Sequence, residues 1–135
     1  MNRKKAREYA FILIFEYKFQ PDEIDRILND FIEEYNPGEQ TEYIQKVVRG
    51  VIDNIEAIDN KISSFSESWK LDRISNVSLS VMRLATFEID YCEDIPNPVA
   101  VNEAVSLAKK YEGEEAAPFV NGILDKIAHA EGAVK

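Results

Sequence analysis

The sequence predicts an all-α protein of about seven helices in one domain. In every long segment, apolar residues recur at the three- and four-residue spacing of a helix face. No βαβ pattern, internal repeat or low-complexity segment is present. With 135 residues, of which 45% are hydrophobic, the chain is large enough to bury a core.

The first predicted helix, within residues 3–19, is apolar on nearly all faces, which is typical of a helix that other elements surround. It begins with four basic residues, which we call the basic head: Arg3, Lys4, Lys5 and Arg7. Cations at a helix N-terminus oppose the macrodipole, each by roughly 0.3–1 kcal/mol where exposed. The head is therefore expected to meet an anion, unless it is a solvated start without a function.

Charge is distributed unevenly along the chain. The formal net charge is −9, and residues 1–7 carry four positive charges and no negative one, so the remainder carries −13. A basic tip on an acidic body can bind phosphate locally while the body discourages indiscriminate binding to nucleic acid. The acidic body also suits a partner with a basic surface.

The second and third helices are predicted on either side of a strong stop. The second begins at Pro21 and ends before residues 36–38, which read Asn-Pro-Gly. The third is expected to run from Thr41, as its N-cap, to Phe65, which is about 25 residues or roughly 37 Å. Gly50 lies inside it and lowers its helix propensity, so this glycine is expected to mark a close contact.

The second half begins after a polar break at residues 63–68, with Trp69 and Leu71 expected to anchor its far side. A short turn at residues 71–74 is followed by three helices. Their expected ranges are Asn76–Cys92, Asn97–Tyr111 and a last helix that opens near Pro118. Asn97 is expected to cap its helix, and residues 131–135 are expected to fray.

Glu88 lies on an apolar stripe of its helix. Because a buried carboxylate needs a partner, and Arg83 lies nearby in sequence, we favour a structural ion pair over a catalytic role.

The sequence offers little support for catalysis or metal binding. His129 is the only histidine and Cys92 the only cysteine, so Cys92 is expected to be a core residue. No HExxH, CxxC, Walker-type or GxGxxG motif is present. We therefore expect a protein that is not an enzyme and has no cofactor or metal. No signal peptide is recognisable, and the apolar run of the first helix is too short to span a bilayer, which favours a soluble cytoplasmic protein.

Three groups of segments follow one another in the second half of the chain: Leu71–Ile74 with Met82–Ile89, then Ile95–Pro96 with Val99–Val105 and Leu107–Lys109, and finally Phe119–Lys126. In this order they resemble the signatures of the NusB family of transcription antitermination factors. The basic head is similar to the arginine-rich start of that family. The resemblance runs essentially from end to end, although residues 20–66 contribute little beyond their pattern.

The resemblance implies two small packed helical subdomains, roughly residues 1–66 and 67–135, and a function in RNA binding. Members of the family bind single-stranded boxA RNA together with NusE, a ribosomal protein. The pair joins an RNA polymerase antitermination complex with other Nus factors, which suppresses termination, notably in ribosomal RNA operons. The alternative is a helical adaptor that binds protein and no RNA.

The resemblance also implies roles for individual residues. The basic head matches the RNA-contacting start, although Lys4 and Lys5 replace frequent arginines and cannot bind phosphate in a bidentate way. Phe119 matches an aromatic position for RNA contact, where unpaired bases could stack, unless the ring belongs to the core. Glu115 falls on a loop position near it, and Ser78 lies where the family faces NusE.

Asn121, in the last helix, is a further candidate from its chemistry. Its amide could bind a base edge, or it could cap or pin the neighbouring helix.

Overall fold

The computed structural model describes residues 1–66 and 70–130, which contain seven α-helices and no β-strand. The helices are α1 Arg3–Tyr17, α2 Ile24–Tyr35, α3 Thr41–Asp53, α4 Ile55–Phe65, α5 Asn76–Tyr91, α6 Asn97–Glu112 and α7 Ala116–Ala128. Short 3-10 helices precede α2, α3 and α5: Pro21–Glu23, Gly38–Gln40 and Leu71–Arg73. The all-α prediction is confirmed. The expectations for Trp69 and for residues 131–135 lie outside the described residues, and the division into two subdomains stays a prediction.

The predicted third helix is in fact two helices, α3 and α4, that meet at Asn54. The Asn54 side-chain amide donates to the carbonyl oxygen of Gly50 at 2.8 Å, and its backbone leaves the helical conformation. An asparagine side chain competes in this way with the backbone for hydrogen bonds. The apolar spacing continues across the break because both helices cover the same core. The prediction that Thr41 caps α3 is also wrong, since Thr41 is its first residue and Gln40 precedes it.

Helix α1 is buried among other helices, as its apolar faces predicted. It packs against α2, α3 and α5, and Ala6, Ala10 and Ile14 are completely buried. The side chain of Asn2 caps its N-terminus, because its Oδ1 accepts from the backbone N–H of Lys5 at 2.8 Å. The basic head therefore lies at the capped start of a core helix.

Helix α5 is the centre of the fold and packs against α1, α3, α4, α6 and α7. Gly50 of α3 lies against it, and a Cβ atom at this position would be 2.2 Å from the ring of Phe87. The expected close contact at Gly50 is thus confirmed. Cys92, just after α5, is buried as expected.

The start of α6 is tied to the end of α7 through Asn97. Its side-chain amide donates to the carbonyl oxygen of Ala128 at 3.2 Å, and it makes no capping bond within α6. The prediction that Asn97 caps the helix is therefore wrong, because Pro96 occupies the position before the helix. Among the described helices, none has the length and apolar character that crossing a membrane requires.

Candidate nucleic-acid interface

The four residues of the basic head point in different directions. The side chains of Lys4 and Lys5 are exposed, by 74% and 52% of their surface. Arg3 is half-buried, and Arg7 is buried with only 5% of its side chain exposed. The first turns of α1 thus present two exposed cations, Lys4 and Lys5, and two packed ones, Arg3 and Arg7.

Arg7 belongs to a buried cluster that joins three helices. Its Nε donates to the carboxylate of Glu88 on α5, with distances of 3.0 and 3.2 Å to the two oxygens. The hydroxyl of Tyr43 on α3 donates to the same carboxylate at 2.8 Å. Burial raises the pKa of Glu88, and Arg7 offsets part of this effect. Arg7 therefore compensates the buried charge of Glu88. Its guanidinium is covered from solvent, which argues against the predicted RNA contact.

The ion pair predicted between Glu88 and Arg83 is wrong. Five residues on a helix turn through about 140° beyond one full turn, so the two side chains leave α5 on different faces. Arg83 instead binds Asp59 of α4, with both hydrogen bonds at 2.8 Å. The expectation of a structural partner for Glu88 is nevertheless confirmed, with Arg7 in the place of Arg83.

Arg3 is held against the ring of Tyr43. Its guanidinium carbon lies 4.1 Å from the centre of that ring, and its Nε donates to the side-chain oxygen of Gln40 at 2.7 Å. Stacking of this kind fixes the direction of the guanidinium while its outer nitrogens remain available for an anion.

A second cluster brings two residues of α6 next to the head. The carboxylate of Glu8 accepts from Lys5, from Lys110 and from the hydroxyl of Tyr111. Burial alone would raise the pKa of Glu8, but its three hydrogen bonds outweigh burial and lower the pKa to about 2. The hydrogen bond to Glu8 is also the main reason that the pKa of Tyr111 rises to about 12.

The result is a basic surface with an aromatic ring, which we call the head surface: Arg3, Lys4, Lys5, Lys110 and Tyr111. Of the side chain of Lys110, 60% is exposed, and Tyr111 is 41% exposed while packing against Phe11. Sequence reasoning did not find the two α6 residues, because their place beside the head depends on contacts over more than a hundred residues. The only local signal was an aromatic residue after two lysines near a helix end.

Phe119 and Ser78 are brought together at a cavity of about 260 Å³ between the starts of α5 and α7. Phe119 is half-buried and packs against the core, so the expectation that its ring belongs to the core holds in part, and its RNA contact stays a prediction. Ser78 is buried and its hydroxyl donates to the carboxylate of Glu112 at 2.6 Å. A partner at this cavity would therefore contact the Ser78–Glu112 pair. Glu112 directly follows Tyr111 of the head surface in the sequence.

Asn121 and Glu115 lie apart from this cavity. Asn121 is exposed and lines another depression with Asn102, Asp125 and His129. Its separation from Phe119 follows from helix geometry, since two residues turn through about 200°. Glu115 is exposed just before α7, with its carboxylate folded back toward Gly113. The structure does not bring these two predicted residues together with the basic head.

No group of three or more histidine, cysteine, aspartate or glutamate side chains suited to a metal ion occurs in residues 1–66 and 70–130. His129 is exposed, and its ring nitrogen lies 2.8 Å from the backbone oxygen of Asp125.

Comparison with known proteins gives one consistent answer. The model of the NusB family matches residues 4–129. The transcription antitermination protein NusB of Acetivibrio thermocellus is 48% identical over 128 residues, which are 94% of this chain and 88% of that protein.

Solved structures agree with this sequence comparison. NusB of T. maritima superposes with a TM-score of 0.88 at 38% identity, covering 95% of this chain and 91% of that one. A crystal structure of the antitermination factors NusB and NusE in complex with double-stranded RNA gives a TM-score of 0.85 at 29% identity, covering 96% and 97% of the two chains. With a family model over nearly its whole length and these relatives, this chain belongs to the NusB family of transcription antitermination proteins.

Proposed function

We propose that this protein binds boxA RNA together with NusE and joins the antitermination complex on RNA polymerase with other Nus factors. In this function it helps the polymerase to read through terminators, notably in ribosomal RNA operons. Bacterial transcription takes place in the cytoplasm, so the proposal places the protein there. The observation that carries the proposal is the head surface, a basic and aromatic patch on a chain whose net charge is −9.

The chemistry of the head surface suits single-stranded RNA. Its lysines and Arg3 can neutralise phosphates, and the exposed face of Tyr111 offers a base a stacking partner. All three lysines are paired with carboxylates in the free protein, Lys4 with Glu103 at 3.3 Å, and Lys5 and Lys110 both with Glu8. RNA would have to replace these ion pairs, and exposed ion pairs individually contribute little to the stability of a protein.

The residues proposed for RNA contact differ in part from those that the sequence predicted. Arg3, Lys4 and Lys5 remain, Lys110 and Tyr111 are added, and Arg7 acts by fixing the start of α1. Phe119, Glu115 and Asn121 remain predictions for additional RNA contacts. For NusE we propose the cavity at Ser78, whose neighbours Arg73 and Glu112 offer both signs of charge to a partner.

A solved relative supports this assignment, since that NusB is seen with NusE and RNA in one complex. The RNA there is double-stranded, so preference for the unpaired boxA sequence has to be measured on this protein.

The test is a fluorescence-anisotropy titration of labelled boxA RNA, with a scrambled RNA as control, with and without NusE and at two salt concentrations. Four cationic contacts predict a slope of log K against log salt of about −3 for a single strand. We expect preference for boxA that increases with NusE and decreases with salt. Equal, weak binding to both RNAs in every condition would contradict the proposal and favour the adaptor without RNA binding.

A further inference from the structure

A shallow groove runs between α1 and α2, on the face of α1 opposite to Phe11 and Tyr111. Tyr9 and Ile12 from α1 and Ile27 from α2 form its half-buried floor. Its volume is about 290 Å³. Residues 9 and 11 point to opposite sides of a helix, so the groove and the Phe11 contact of Tyr111 lie on different faces of α1. The groove adjoins the head surface at Lys5, whose Nζ lies 5.4 Å from the ring centre of Tyr9. The groove is separate from the cavity at Ser78, with which it shares no lining residue.

Aromatic rings form one end of the groove. Tyr35 stacks on Phe31 with ring centres 4.7 Å apart and planes at 25°. Tyr9 completes the cluster, with its ring centre 5.0 Å from that of Phe31 and 5.2 Å from that of Tyr35. Tyr35 is 49% exposed although its ring is fixed by these neighbours. The ring of Tyr35 therefore presents a fixed aromatic face to which a cation can bind.

Carboxylates surround the groove. Glu16, Asp30 and Glu34 line it, and Arg26 is the one cation among its lining residues. Arg26 is already bound to two carboxylates, Glu23 at 2.8 Å and Asp30 at 3.3 Å. Glu16 and Glu34 make no ion pair with any described residue. Their charges are therefore uncompensated beside an apolar floor.

The surroundings of the groove are acidic as well. Residues 20–40 contain seven acidic residues and one basic residue, so this segment carries −6 of the net charge of −9. Two of the cations that border this segment are already paired: Lys5, whose Nζ lies 5.4 Å from the ring centre of Tyr9, contacts Glu8, and Arg49 binds Asp25 at 2.6 Å. Such a surface repels RNA, and a second copy of this chain is repelled overall because its net charge is −9.

We propose that the α1–α2 groove is a docking surface for a basic amphipathic helix of a partner protein. The apolar stripe of that helix packs on Tyr9, Ile12 and Ile27, as in other helix-in-groove complexes. Lysines or arginines beside the stripe bind Glu16 and Glu34, and one of them lies over Tyr35. This surface goes beyond the proposed function, since none of its lining residues belongs to the head surface or to the Ser78 cavity.

A synthetic Leu/Ala/Lys amphipathic helix of about 18 residues, or five turns, is a suitable probe. We would titrate it against the full chain near 0.15 M salt, where distant surface charges are screened, and map its contacts by amide NMR shifts. Peptide binding should shift amides of α1 and α2. The same peptide with glutamate in place of lysine should not bind.

A matched pair of variants separates the groove from general electrostatic attraction. The groove variant combines Glu16→Gln and Glu34→Gln and removes two charges of the groove. The control variant combines Glu56→Gln and Glu93→Gln and removes two exposed charges elsewhere. We expect the groove variant to bind the peptide about fivefold more weakly or worse, and the control variant to change less than about twofold. Tyr35→Ser should weaken binding in a similar way.

Equal losses in the two double variants, or amide shifts spread over other helices, would overturn the proposal. The affinity for boxA RNA is measured on the same variants and is expected to stay unchanged. A protein that binds the peptide in the groove but no boxA RNA would refute the proposed function alone, so the two proposals can fail independently.

Discussion

Replacing Glu88 by glutamine tests the buried cluster most directly. Its carboxylate is 1% exposed and accepts from both Arg7 and Tyr43. In the variant Glu88→Gln, Arg7 keeps a buried positive charge without a counter-charge, and the new amide N–H group faces a donor. Removing one partner of a buried ion pair typically costs about 3–5 kcal/mol. Since domains of this size are stable by roughly 5–15 kcal/mol, the loss is a large part of the total.

The assay is urea unfolding followed by circular dichroism at constant pH. For a chain of this size, the expected loss corresponds to a melting temperature lowered by roughly 10–20 °C. The matched control is Glu103→Gln, which removes an ion pair to Lys4 whose lysine is 74% exposed. This variant should change the free energy of unfolding by less than about 1 kcal/mol.

Two results would refute the reasoning. One is a loss below about 1 kcal/mol for Glu88→Gln, equal to that of the exposed control. The other would come from a triple variant that combines Arg7→Met, Tyr43→Phe and Glu88→Leu and so removes every polar side-chain group of the cluster. Because apolar residues of similar volume often replace a buried ion pair at little cost, this variant should recover most of the lost stability. A triple variant less stable than Glu88→Gln would show that the uncompensated charge is not the cause.

Three further predictions concern stability and its pH dependence. Gly50→Ala should lower the free energy of unfolding by about 1–3 kcal/mol, because the new Cβ would lie 2.2 Å from the ring of Phe87. The matched variant Gly122→Ala has no atom within 4 Å of its new Cβ. It should raise the free energy of unfolding by about 0.5–1 kcal/mol in the same urea assay. Equal effects at both glycines would contradict the close contact. The pKa of Glu8 is about 2 in the folded protein and near 4.5 in the unfolded chain, so its stabilisation is present above pH 4.5 and is lost as the pH falls toward 2. Glu8→Gln should therefore lower the free energy of unfolding by about 1–2 kcal/mol at neutral pH and make it fall less steeply at acid pH. An unchanged acid dependence in urea titrations from pH 6 to 2 would contradict the role of its hydrogen bonds.

The helices could be predicted from the sequence because their signals are local. Apolar spacing, Pro21 and the stop at residues 36–38 lie within a few positions of the helix ends that they specify. The break at Asn54 was missed, since one side-chain bond to Gly50 ends α3 while the apolar stripe continues. Periodicity reports which face is buried and does not report a change of helix axis.

The candidate site could be predicted only in part, since it is assembled by distant segments. The sequence correctly placed a basic head before a core helix, but nothing near Arg7 indicates that its partner is Glu88. Lys110 and Tyr111 likewise join the head only through the carboxylate of Glu8. Which cations are buried and which are exposed was decided by the packing of α1 against α3, α5 and α6.

The most direct test of the central claim compares two double variants. One combines Lys4→Gln and Lys5→Gln, and the other combines Lys18→Gln and Lys70→Gln. Both double variants lose two exposed lysines, but only the first changes the head surface. If the head surface binds RNA, the first variant should reduce the salt slope for boxA RNA from about −3 to about −1.5, while the second leaves it unchanged. Equal slopes and equal affinities for the two variants would contradict the claim that this surface binds RNA.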